Sequence, residues 1–189
     1  MEFIERCLGR LFYNFRGRDV HLICNADNVS IIPSTIQLTS SDFNDNEPMP
    51  LVCTSGEGED KSPSLEWKNM PEQTKEILII LEDPDAPLPK PVIHMICRIP
   101  PTFNSIEQGV LNIDNNIHNF KFLPGIFGRL GYHGPRPVRM HGSHRYIFQI
   151  YALNEPILDE EVTNKDDLID SISKKSISRG TLTGTFERF

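Results

Sequence analysis

The 189-residue chain contains no apolar run approaching the roughly 18 residues that a membrane-spanning helix needs. Its opening, Met1 to Arg6, mixes charges and lacks the apolar core and small-residue cleavage site of a secretory leader. No Cys-x-x-Cys pair occurs among Cys7, Cys24, Cys53 and Cys97, and without a leader free buried thiols are expected rather than disulfides. A reducing, cytoplasmic setting follows as the expectation. There is no Gly-x-Ser-x-Gly elbow, and Ser143 beside His144 on a strand would face the opposite way, which argues against a serine nucleophile. Helical patterns do not alternate with strands along the chain, so a doubly wound sheet is excluded.

One absence is local. Between Asn115 and Asn154 there is no Asp or Glu, although the whole chain carries a net charge of −7. The same stretch holds Lys121, Arg129, Arg136, Arg139, Arg145 and four histidines, His118, His133, His141 and His144. The overall negative charge argues against nucleic acid as a partner. The basic stretch instead presents a local positive field to a small anion, the alternative being a solvated basic loop.

What is abundant is proline, 15 residues, which helix interiors and central strands exclude. A β-dominated fold with stiff loops is the reading. Phe3, Ile4, Cys7, Leu8, Leu11, Phe12 and Phe15 recur at helical spacing and predict a helix over 2–15, stopped by Gly17 and docked on the domain. An exposed apolar face on it would point to a homodimer or membrane contact. Strands are expected over 29–32, 36–38, 77–81, 92–97, 146–153 and 181–186. The continuously apolar Ile77–Leu81 run predicts a central strand buried on both faces. Thr163 or Asn164 can cap a helix running to about Ile177 and closed by Gly180.

Two clusters carry the chemistry. Asp83-Pro84-Asp85-Ala86-Pro87 follows the buried strand and holds two carboxylates in a rigid loop; Ala86-Pro87 is a candidate cis peptide. His94 follows just inside the next strand. The second cluster is Gly131-Tyr132-His133-Gly134-Pro135-Arg136-Pro137 with His141-Gly142-Ser143-His144-Arg145-Tyr146. Glycine and proline there let backbone N–H groups converge, while tyrosine and histidine add neutral donors, a combination suited to phosphate or carboxylate. His141-x-x-His144 with His133 could also hold a metal, but such spacing in a Gly-Ser loop does not place two imidazoles on one face. No metal or cofactor is expected.

These motifs, with Ser62-Pro63-Ser64-Leu65-x-Trp67 and Gly180-Thr181-Leu182-x-Gly184-Thr185, resemble the phosphatidylethanolamine-binding protein family, in its compact bacterial-type branch, over roughly residues 34–187. The resemblance implies an antiparallel Greek-key β-sandwich, here with a short N-terminal helix and one C-terminal helix. Residues 1–33 form an extension packed on a domain spanning 34–189. It also implies a non-catalytic pocket lined by Asp83, Asp85, Pro87, His94, Tyr132, Gly134, Pro135, His144 and Tyr146. In that pocket His94 and His144 would be anion donors, Asp83 would orient a histidine, and Arg145 would brace the loops. The ligand implied is a phosphate-like anion or a phospholipid head group; the alternative is a regulatory inhibitor of a kinase or serine protease. Departures from the family pattern are Met95, Arg98, Val138 and Met140.

Overall fold

The computed structural model describes residues 2–189. Three α-helices are present among them: α1 (Glu2–Phe12), α2 (Asp27–Ser30) and α3 (Lys165–Lys175). The strands are β1 (Gln37–Thr39), β2 (Glu47–Pro48), β3 (Leu65–Lys68), β4 (Glu76–Asp83), β5 (Val92–Ile99), β6 (Ser105–Ile106), β7 (Lys121–Leu123), β8 (His144–Leu153) and β9 (Ser176–Phe186). They form a three-stranded sheet, β1-β3-β6, and a six-stranded sheet, β2-β9-β8-β4-β5-β7. No helix among the described residues is long and apolar enough to cross a membrane.

β4 lies between β5 and β8, and its run Ile77–Leu81 is buried on both sides. Ile77, Ile79 and Leu81 point into a core with Leu38, Leu65 and Trp67 of the smaller sheet. Leu78 and Ile80 meet Leu168 and Ile172 of α3 and Val29 of α2 on the other face. Period-two alternation divides five apolar residues between two cores, and each buried Ile or Leu stabilises by roughly 1.5–3 kcal/mol.

Several expectations need correction. Residues 29–32, read as strand, instead form the end of α2 and the turn after it, because Val29 and Ile32 at helical spacing both reach the second core and tertiary packing overrides β-branched preference. β2 runs parallel to β9, so the six-stranded sheet is not wholly antiparallel. α1 ends at Phe12, and a turn with Gly17 at φ 75° follows. α3 is capped by the Asn164 side chain, which accepts from the Asp166 and Asp167 amides. It stops at Lys175 rather than near Gly180, because the chain passes directly into β9. Gly180 lies inside that strand, where a Cβ would stand 2.2 Å from the Ile36 carbonyl oxygen. No peptide bond among the described residues is cis, so Ala86-Pro87 is trans.

Of the four free cysteines, Cys24, Cys53 and Cys97 are buried and Cys7 is exposed. Burial pushes the Cys24 thiol up to about 11 and the Cys53 thiol up to about 12.

Candidate functional site

The end of β4 and the beginnings of β5 and β8 lie side by side, which brings Asp83, His94, His144 and Tyr146 to one edge of the larger sheet. A bulge aims His94. Leu81 pairs with Met95 while Glu82 pairs with Ile93, so His94 is the extra residue on β5. Its ring packs edge-on to Tyr146 with centroids 5.3 Å apart. His144 and Tyr146, two apart on β8, share a face, and their rings are 6.5 Å apart.

The Asp83 carboxylate works in two directions. Its Oδ1 accepts from the amides of Asp85 (2.7 Å) and Ala86 (3.0 Å), shaping the turn, while its Oδ2 meets His144 Nδ1 at 2.8 Å. His144 Nε2 faces His141 Nδ1 at 2.7 Å, and His141 Nε2 donates to the Phe12 carbonyl at 2.8 Å. Two imidazoles thus bridge two acceptors through three hydrogen bonds. His141 is the member that sequence reasoning did not assign. Its spacing from His144 was legible as a candidate metal pair, whereas the facing nitrogens share a hydrogen bond, an N–H of one ring donating to the other.

His94 donates from Nδ1 to the His133 carbonyl at 2.8 Å. Burial holds its pKa below the ordinary histidine value, against the opposing pull of Asp83. Burial likewise lowers His141, only partly offset by the Phe12 carbonyl. A neutral His94 with Nδ1 engaged presents an acceptor at Nε2. The Tyr146 hydroxyl is fully buried without a hydrogen-bond partner; the Arg136 backbone faces it without closing a bond of ordinary geometry. Burial first, and then Asp83, push that hydroxyl well above the usual tyrosine value, so it stays a donor.

The remaining candidates sit around this centre. Asp85 accepts from the Arg145 amide at 3.0 Å and from Arg145 Nε at 2.8 Å, and Gly17 N donates to it at 3.1 Å. Burial opposes its ionisation, yet Arg145 outweighs burial and holds the carboxyl below its usual range. Arg145 also grips Asp19 at 2.8 Å. Asp85 is thereby committed to bracing the loop. The Tyr132 hydroxyl donates to the Cys53 carbonyl at 2.8 Å. Gly134 N donates to Asp60 Oδ1 at 2.6 Å, and a Cβ on Gly134 would stand 2.0 Å from the Cys53 carbonyl oxygen. The Pro135 carbonyl accepts from the Ser55 amide at 2.9 Å. These three residues therefore lock the 131–137 loop onto the 53–60 loop, and only the His133 carbonyl reaches His94. Pro87 lies apart, on an apolar groove beside α1.

The departures from the family pattern also find places. Met95 is buried in the main core, and Arg98 pairs with Glu76 (3.1 Å) and Asp159 at the far end of β5, away from the histidines. Met140 stands at φ 62°, a left-handed conformation in which glycine costs least.

A model of the phosphatidylethanolamine-binding protein family matches residues 39–187. The chain belongs to that family. Similar relatives include "Phomoidride biosynthesis cluster protein B" from Fungal sp. (strain ATCC 74256), 34% identical over 99% of this chain and 95% of its own length. A UPF0098 protein of Aquifex aeolicus is 30% identical over 88% of this chain and 97% of its own. Among solved structures, a putative family homologue from Chlamydia trachomatis superposes with a TM-score of 0.71 at 29% identity, covering 82% of this chain and 98% of that one. A carboxypeptidase Y inhibitor, solved with its cognate proteinase, shares the fold alone, at 14% identity and a TM-score of 0.55, covering 97% of each chain.

Proposed function

We propose that this family member binds a small phosphate-bearing anion, or the phosphate-bearing head group of a phospholipid, where β4, β5 and β8 meet, without transforming it. The buried, partnerless Tyr146 hydroxyl is the observation that carries this reading. Leaving such a group unpaired costs about 1–3 kcal/mol, which a ligand oxygen accepting from it would recover. His94 Nε2 stands ready for a protonated phosphate oxygen or an ammonium group of the same ligand. Behind them, the hydrogen-bonded Asp83–His144–His141 chain fixes the floor. The fungal relatives are named for a biosynthesis cluster, which supports a small-molecule ligand over a macromolecular one. A reducing cytoplasm suits the three buried thiols.

Calorimetric titration with phosphorylethanolamine and inorganic phosphate tests this. Saturable binding by the wild type is expected, about tenfold weaker in Tyr146→Phe and lost in His144→Ala. A well-folded wild type that binds neither ligand sinks the reading. The second reading, an inhibitor acting on a kinase or serine protease, draws on Phe3 and Leu11, which α1 turns to solvent beside the site. The shared fold with the carboxypeptidase Y inhibitor adds to it. A stable complex with a purified protease, together with no small-anion binding, would favour that alternative.

A further inference from the structure

α1 is amphipathic, yet it docks by its polar side. At about 100° per residue, Phe3, Ile4, Cys7, Leu8, Leu11 and Phe12 fill one half of its circumference, and Glu2, Glu5, Arg6, Gly9 and Arg10 the other. A helix that serves a core buries its apolar half. Here the polar half meets the protein. Gly9 is the only buried residue, and a Cβ there would stand 1.9 Å from the Arg139 carbonyl oxygen, so the helix backbone rests directly on the loop that carries Arg139 and His141. Around it, Glu5 pairs with Arg188 at 2.8 Å, Glu2 lies 3.9 Å from Arg139, and the Phe12 carbonyl accepts from His141 at 2.8 Å.

The apolar half is left to solvent: Phe3, Leu11 and Ile4 are 78%, 74% and 64% exposed. It continues onto the domain, because Ile4, Leu8 and Phe12 line one wall of an open groove whose lining also includes Pro87 and Val138. Leu88, beside Pro87, is exposed as well. A contiguous apolar surface of this kind marks an interaction site. Charge indicates the partner. Before Asp19 the described chain carries Arg6, Arg10, Arg16 and Arg18 against Glu2 and Glu5, and both of those carboxylates face arginines of the domain. Arg6 and Arg10 are exposed, and Arg10 borders the apolar half next to Phe3. The presented face is therefore apolar with a positive border, although the whole chain carries −7. A second copy of α1 suits it poorly. In a two-fold antiparallel pair like edges meet, which sets Arg6 and Arg10 against their own counterparts.

We propose that α1 is an interfacial anchor that lies in the plane of an anionic lipid bilayer, its apolar half among the acyl chains and Arg6 and Arg10 at the head-group phosphates. The 11-residue helix is about 16 Å long, too short to span a bilayer but long enough to lie in its surface. Attachment is local: the arginines draw this one face to the anionic surface, and the apolar side chains hold it there. The helix precedes the family match at 39–187, so the anchor belongs to the N-terminal extension. It does not rest on the anion-binding reading, because none of its residues lies where β4, β5 and β8 meet.

The test is co-sedimentation of the full chain with vesicles of phosphatidylcholine alone and of phosphatidylcholine mixed with phosphatidylglycerol. Retention on the mixed vesicles is expected, weakened about tenfold or more in Leu11→Asp and in Phe3→Asp. Both positions are exposed, so the variants should melt as the wild type does. Arg10→Glu should lose the preference for the mixed vesicles. In Leu11→Trp the new fluorescence should shift to the blue when mixed vesicles are added, over the fixed background of the buried Trp67. A wild type that ignores the mixed vesicles overturns the proposal, as does retention that survives both aspartate substitutions. A Leu11→Trp signal that stays unshifted while the protein sediments with lipid overturns it too, since another surface would then be the anchor. A dimer in sedimentation velocity that dissociates in Leu11→Asp, with no vesicle binding, would give the face to a second copy and also overturn it.

Discussion

β4 and β8 carry two buried polar clusters on opposite faces, and the clusters differ in one respect that matters. On the α3 side, Glu82 accepts from Lys165 (2.6 Å), the Ile23 amide (2.8 Å) and Gln149 (2.7 Å), and Gln149 in turn accepts from the Tyr151 hydroxyl (2.7 Å). None of these side-chain polar atoms lacks a partner. On the other face, Asp83, the next residue of β4, and His144, five residues before Gln149 on β8, are equally well paired, but the Tyr146 hydroxyl and the His133 Nε2 are buried without partners. Burial, charge and hydrogen bonding are common to both. The first cluster closes on itself and fastens α3 and the Ile23 turn to the sheet; the second leaves binding capacity unspent. Buried polarity alone is therefore a poor mark of a site, and unspent hydrogen bonding is a better one.

The largest effect that would break this comparison is expected at Glu82. Glu82→Ala strands the Lys165 ammonium, the Ile23 amide and Gln149, and should cost about 3 kcal/mol in urea unfolding, discounted because Lys165 is partly exposed. Phosphate affinity should be unchanged in the folded fraction; a loss of affinity would mean that the two faces are coupled. Next comes Arg145→Met, which leaves the buried Asp85 carboxylate uncompensated. About 2 kcal/mol is expected, less than for a fully buried pair because the Arg145 side chain is 37% exposed.

The paired tyrosines sharpen the contrast through opposite signs. Tyr151→Phe removes a hydrogen bond and orphans the Gln149 oxygen, so a loss of about 1 kcal/mol is expected. Tyr146→Phe removes a hydroxyl that already lacked a partner, and the free protein should gain up to about 1 kcal/mol while anion affinity falls. Thermal melts of the two variants, with and without phosphate, decide it. Equal destabilisation by both would show that Tyr146 has a structural partner after all.

The smallest effect is on pH dependence. His94 and His141 are held below the ordinary histidine value mainly by burial. Below about pH 6.5 the unfolded chain takes up protons that these residues resist in the native state, so stability falls as pH drops from there toward their native values. Asp85, held below its usual range, contributes stability above about pH 3.9 that is lost as pH falls through its native value. Urea midpoints across pH 7 to 5 should fall, and more shallowly in His94→Gln. An unchanged slope in that variant would remove His94 from the account.

Much of the fold was legible because it rests on local pattern. The doubly buried β4, the Asn164-capped α3 and the acid-free basic stretch follow from periodicity, capping and charge, each readable within a few residues. The gathering of Asp83, His94, His144 and Tyr146 was legible from the motifs, and the four do meet at one edge of the larger sheet. The roles of their neighbours were not. Nothing in Gly134 or Tyr132 announces that they bond to the 53–60 loop, because hydrogen-bond partners some 75 residues away leave no local signal. α2 shows the same limit, since β-branched preference pointed to a strand that packing did not allow.

The sequence by itself determined the class of the protein, the central strand, the chemistry gathered at its end and the helical stripe of the first residues. Only the tertiary structure decided which of those polar groups are spent and which are free. It paired His141 with His144, committed Asp85 to Arg145, and laid α1 where its apolar side chains wall a groove. The physical reason is that residue type limits what a group can donate or accept, while the distance and direction to a partner elsewhere in the chain determine whether it does.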